Sequence, residues 1–218
     1  VFGIEPEQHP LATYYRNTII HHFVNKAILE MALMGAESGA GSTAAFWKET
    51  LRLRDYFKFE FFYPSKKQFR AELQREMERV DPDWERRLAE DPAGAGALLE
   101  DMRPLVAHAS LLPYVEAYSL VFDLLARLDS NTAITQDELV GQALKEGRQA
   151  YLQRRITSEA SIGKILFQNG FKLADNLGLT AGGAEDMSER RTALLREFKE
   201  LSGLLERIRV IALSGYGE

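Results

Sequence analysis

The sequence predicts an all-α protein, an irregular multi-helix bundle of about eight helices, and three observations carry that expectation. Apolar residues recur at three- and four-residue spacing, as in Leu194, Phe198, Leu201, Leu205 and Ile208, whose separations run four, three, four and three. Capping residues stand where the periodic segments begin and end: Ser42 or Thr43, Ser65, Thr135 and Ser158 at starts, Gly178 at a stop. The one stretch that alternates apolar and charged residues, Tyr56 to Tyr63, has no evident partner strand elsewhere in the chain.

Taken in order, Val1 to Pro10 contains two prolines and reads as an extended leader, and residues 11–218 read as one helical domain. From Leu11 to about Met34 there is no internal Gly or Pro, and the apolar residues spread around the whole helix toward its end. Such a helix belongs in the interior. Gly35 to Ser42 is a break, followed by a helix from about Thr43 toward Phe62 whose last residues could alternatively form a short strand; Pro64 ends it. Ser65 begins the next helix, which stops at Asp81-Pro82, and Asp81 caps a short helix to Asp91. Pro92 to Gly96 reads as a linker, Ala97 to Ala107 as a helix bent or broken at Pro104, and Pro113 as the opening of an apolar helix ending near Asp129. Thr135, with Glu138 three residues on, starts a helix to about Ile156. Ser158 starts another to about Leu177, and the last helix runs from Asp186 to about Leu213.

The 218 residues include 27 Lys and Arg against 32 Asp and Glu, a net charge of −5, which argues against nucleic acid as the main partner. Cysteine is absent, which removes disulfides, thiolate nucleophiles and Cys-based zinc sites. The most apolar window, Ile19 to Ala36, is interrupted by His21, His22, Asn25, Lys26 and Glu30, and no membrane span is expected there. No signal peptide is visible, and the first residue is Val1, so the expectation is a piece of a longer chain. The HExxH, GxSxG, P-loop and dinucleotide-binding patterns are missing, and no catalytic residue, metal ligand set or cofactor is predicted.

The segment from Thr13 to Asn25 is chemically distinctive. At about 100° per residue, Thr13, Asn17, His21 and Asn25 form a polar stripe along an otherwise apolar helix. Buried polar groups cost about 1–3 kcal/mol each unless hydrogen-bonded. The stripe is therefore either the polar wall of a cleft, with Arg16 or His22 available to an anion, or an internal hydrogen-bond network. His21 and His22 point about 100° apart, with no carboxylate at metal-ligand spacing from either. The aromatic run Tyr56 to Tyr63 fits either a core or a lipid contact. Arg86-Arg87, Arg154-Arg155 and Arg190-Arg191 each have acidic neighbours and read as solvated faces, Arg154-Arg155 with Lys164 being able to meet anionic lipid.

Three sequence elements resemble a known family: Tyr14-Tyr15-Arg16-Asn17 with His21-His22-Phe23-Val24, then Phe57 to Pro64, then Leu112 to Tyr118. They are similar to the C-terminal region of bacterial glycerol-3-phosphate 1-O-acyltransferases, over about Leu11 to Leu179. The resemblance implies a part in forming 1-acyl-glycerol-3-phosphate from an acyl thioester, carried by coenzyme A or acyl carrier protein, and glycerol-3-phosphate. It also implies an upstream catalytic domain as partner, a peripheral place at the cytoplasmic face of the cell membrane, and Tyr14, Arg16, Asn17 and His21 as cleft-lining or substrate-binding residues. The family's chemistry rests on a His-x-x-x-x-Asp motif, its His acting as general base and its Asp orienting that His. Five residues after His9, His21, His22 and His108 stand Tyr14, Lys26, Ala27 and Pro113, so the motif is absent from these 218 residues, as is the family's Phe-Pro-Glu-Gly motif. The segment alone is expected to be inactive. The alternative is a non-enzymatic all-α domain that senses a ligand or binds partner helices, for which the Leu194 to Ile208 face is available.

Overall fold

A computed structural model describes residues 19–37, 42–91 and 93–214. Among them are nine α-helices, two single-turn 3-10 helices and no strand, so the predicted all-α class holds. The helices are α1 (Val24–Glu37), α2 (Thr43–Tyr56), α3 (Lys66–Val80), α4 (Trp84–Glu90), α5 (Gly94–Asp101), α6 (Ala107–Ala126), α7 (Gln136–Leu152), α8 (Lys164–Asn176) and α9 (Met187–Ser214). The chain forms two compact units, one holding the described residues up to Leu111 and from Leu204 onward, the other Leu112–Gly203. Both divisions fall inside helices, α6 and α9, so no change in composition marks them in the sequence.

The first unit is built around α1. Ala27, Ile28, Met31, Ala32 and Leu33 are wholly inaccessible, as the all-round apolar pattern predicts. Helices α2, α3 and α5 pack on it. Phe46, Trp47 and Trp84 form an aromatic cluster with ring centroids 5.0–5.8 Å apart, and the Arg70 guanidinium lies 4.5 Å over the Trp47 ring. Ser42 and Ser65 accept hydrogen bonds from Ala45 N–H and Gln68 N–H, as N-caps should.

The second unit packs Tyr118 and Phe122 of α6 against Phe198 of α9, with Phe122 and Phe198 edge to face at 4.7 Å. Leu194 and Leu201 are buried as their spacing predicts, and so are Leu205 and Ile208 on the part of α9 that belongs to the first unit. At Gly170 of α8 an added Cβ would lie 3.2 Å from Val121 and 3.3 Å from Tyr118, so a side chain there would crowd α6. Thr135 and Glu138 close a capping box at the start of α7.

Six elements differ from the sequence expectation, and two of these are helix starts: Ser158 caps a 3-10 turn (Glu159–Ser161) with α8 beginning only at Lys164, and Asp83, not Asp81, is the N-cap of α4. Within the described residues the helix expected from Leu11 is interrupted: Ile20–His22 is a 3-10 turn between helical Ile19 and the start of α1 at Val24. Two adjacent β-branched isoleucines lower helix propensity at that point, and Phe23 N–H bonds back three residues to Ile20 O at 2.9 Å. The stretch after Tyr56 is neither helix end nor strand but a turn, with Glu60 and Phe61 N–H donating to Phe57 O. The expected linker at Pro92 to Gly96 contains the start of α5 at Gly94. Finally, α6 begins at Ala107, not Pro113, and carries Pro113 in its interior.

Candidate functional site

Of the sequence-predicted site residues, Tyr14, Arg16 and Asn17, and with them Thr13, lie outside the described residues. His21 is described: it sits in the 3-10 turn, exposed, its ring centroid 3.8 Å from that of His22. Asn25 follows on α1, and its side chain hydrogen-bonds the Glu76 carboxyl of α3. The 3-10 turn advances about 120° per residue where an α-helix advances about 100°, so His21 and Asn25 do not continue one α-helical stripe. Asn25 thus serves an internal hydrogen bond and His21 faces solvent. Among the described residues no group of three or more His, Asp or Glu stands close enough to hold a metal ion.

One turn beyond Asn25, a buried carboxylate organises the connection between α5 and α6. Glu30 is inaccessible, and its oxygens accept hydrogen bonds from Val106 N–H (3.0 and 2.9 Å) and Ala107 N–H (2.7 Å). Lys26, one turn earlier, donates to Met102 O at 2.6 Å, and Arg103 donates to Ile211 O at 2.8 Å. The first N–H groups of a helix lack intrahelical partners, and here a side chain 76 residues away supplies them. Burial pushes the Glu30 carboxyl up to about 7, against the opposing pull of the two N–H donors and Lys26.

The second unit contains a cleft of about 340 Å³. Helix α6 presents Glu116, Ser119, Leu120 and Asp123 to it, at spacings that share one helix face. Leu195, Lys199 and Ser202 of α9 line it in the same manner, and the end of α7 with the following segment adds Ala150, Arg155 and Ile156. Its carboxylates are committed. Glu116 accepts from Thr157 N–H (2.8 Å), the Thr157 hydroxyl (2.7 Å) and the Ser161 hydroxyl, and Asp123 pairs with Arg127 at 3.0 Å. Arg155 donates to the Gln153 side chain, and neither it nor Lys199 has a carboxylate within ion-pair distance among the described residues. Ser119 Oγ is buried with no hydrogen-bond partner, a situation costing about 1–3 kcal/mol. Lys199 and Ser119 carry no sequence signal of a site, because two helices far apart in sequence bring them to one cleft.

The family model described as glycerol-3-phosphate acyltransferase C-terminal region matches residues 1–182. The chain belongs to that family. Proteins named acyltransferase plsB1 in Mycobacterium bovis and in two Mycobacterium tuberculosis strains are each 35% identical to it over 196 residues. The match covers 88% of this chain and 31% of each relative, so the chain spans about a third of the length of these relatives. No solved structure matches. Within this acyltransferase family, the resembling elements Phe57 to Pro64 and Leu112 to Tyr118 now have structural roles. Phe57 is buried where the chain leaves α2, and Glu116 anchors the segment after α7.

Proposed function

We propose that this chain is the helical C-terminal portion of a glycerol-3-phosphate 1-O-acyltransferase, packing on an upstream catalytic domain and shaping its acyl or substrate cleft. The observation that carries the reading is the family match over residues 1–182, beside relatives three times the chain's length that bear an acyltransferase name. The transfer moves an acyl group from a thioester, of coenzyme A or acyl carrier protein, to the 1-hydroxyl of glycerol-3-phosphate. A general base must take the hydroxyl proton as the thiolate leaves. The four histidines of this chain lack an Asp five residues on, so the base and its orienting carboxylate belong upstream. The segment by itself is inactive.

Tyr14, Arg16, Asn17 and His21 are the residues of this chain that meet the catalytic domain's cleft. The exposed imidazole of His21, at the entry to the buried α1, supports that role: it is available to a partner surface while the helix behind it is fixed. Contact with the membrane is peripheral and cytoplasmic. Helix α6 is long and apolar enough to cross a bilayer, but 72% of its apolar window is buried within the protein, which fits a core helix. In the full-length enzyme, Asn17→Ala and His21→Ala should each lower turnover several-fold with an unchanged thermal midpoint. Unchanged kinetics in both would remove this role, and a lowered midpoint would assign the residues to stability instead.

A further inference from the structure

We infer that the cleft between α6, α9 and the segment after α7 binds an alkyl oxyanion, a phosphate-type head on a short apolar chain. The head lies at Lys199 and Arg155 and the chain over Leu120, Ile156 and Leu195. Charge decides the head. The two acids in the lining are engaged, Glu116 by three donors of Thr157 and Ser161 and Asp123 by Arg127, whereas the two cations have no carboxylate partner among the described residues. A guanidinium and an ammonium left in this way favour an oxyanion, which accepts several charge-assisted hydrogen bonds at once. Ser119 also lines the cleft, and its hydroxyl, inaccessible and without a hydrogen-bond partner, gains one only by turning toward an occupant.

Shape and composition decide the rest. The volume of about 340 Å³ falls at the lower end of small-ligand pockets, roughly 300–1,000 Å³. That suits a compact head with a short chain. Apolar walls from all three contributing segments give the chain a surface that inorganic phosphate would not use. The cleft lies wholly within the second unit, and its polar groups are distinct from Tyr14, Arg16, Asn17 and His21.

The test is calorimetric titration of the full-length protein with octyl phosphate below its micelle concentration. Wild type is compared with the double variant Lys199→Gln, Arg155→Gln, and the difference isolates this cleft from any other site for the same probe. Both side chains are exposed, so the double variant keeps the wild-type thermal midpoint. A saturable component is expected in the wild type that is weakened at least tenfold in the double variant and several-fold in Ser119→Val, and weakened by added salt. Octanol and inorganic phosphate should each bind at least tenfold more weakly than octyl phosphate. Identical isotherms for wild type and double variant overturn the inference. So does octanol binding as tightly as octyl phosphate, which removes the anionic head, or inorganic phosphate doing so, which removes the chain.

Discussion

Glu30 of α1 accepts a hydrogen bond at 2.7 Å from the backbone N–H of Ala107, the first residue of α6, across 77 residues of sequence. One buried carboxylate thereby meets the N–H groups where α6 starts to be helical. Its consequence is measurable as a pH dependence. The folded carboxyl titrates at about 7 and the free side chain at 4.5, so over that interval the folded state holds a proton that the unfolded state has released. Stability from this group is greatest below pH 4.5, falls as pH rises toward 7 and is flat above; the full change is about 3 kcal/mol. Glu30→Gln should flatten that fall when unfolding free energies of wild type and variant are compared between pH 4.5 and 7.5. The same slope in both would rule out Glu30 as its source.

The two arginines of the last doublet are opposites. The sequence presents Arg190 and Arg191 alike, as a solvated pair, but Arg191 is 1% exposed and Arg190 lies on the surface near Asp186. The Arg191 guanidinium donates to the carbonyls of Leu179 (2.9 Å), Asp129 (3.1 Å), Thr132 (2.9 Å) and Ala181 (3.3 Å), tying two loops to α9 with no carboxylate partner among the described residues. Arg191→Leu should cost about 3–5 kcal/mol, since it strands buried carbonyls, and Arg190→Leu about 1 kcal/mol or less. Equal denaturant midpoints for the two variants would show that this network contributes nothing.

Gly182 sits in the same loop cluster. A Cβ there would lie 2.2 Å from the Asn131 carbonyl oxygen, and the next nearest atoms are also backbone, of Asn131 and Thr132, so no flexible side chain can yield. Gly183 N–H to Ser130 O (2.9 Å) and Ile134 N–H to Thr180 O (3.1 Å) hold the two strands of loop together. Gly182→Ala is therefore expected to destabilise by about 1–3 kcal/mol through overpacking. Gly141→Ala, where nothing lies within 4 Å, should be neutral or slightly stabilising in its helix. A thermal melt of each variant distinguishes them.

What the sequence disclosed and what it concealed follow from the range of the interactions. Caps at Ser42, Ser65 and Thr135 are local, each formed with a residue three positions on, and the periodic face of α9 is a property of one helix. These were legible. The start of α6 was not, because its donors at Val106 and Ala107 are satisfied by Glu30, and the helix consequently runs through Pro113, the residue that read as its first. Burial of Arg191 depends on four carbonyls in two loops, and the cleft on three segments, so neither leaves a pattern along the chain. The polar stripe assumed one unbroken α-helix, which the 3-10 turn at Ile20–His22 interrupts; of its residues His21 and Asn25 are described, while Thr13 and Asn17, with Tyr14 and Arg16 beside them, lie outside the described residues.

The central claim, that this chain completes a glycerol-3-phosphate acyltransferase, is tested most directly by supplying labelled glycerol-3-phosphate and an acyl thioester to three proteins. These are the full-length protein, the portion upstream of this chain, and the 218-residue chain alone. The account predicts labelled 1-acyl-glycerol-3-phosphate from the full-length protein, at least tenfold less from the upstream portion, and none from the chain alone. Full activity in the upstream portion, or turnover by the isolated chain, would contradict it.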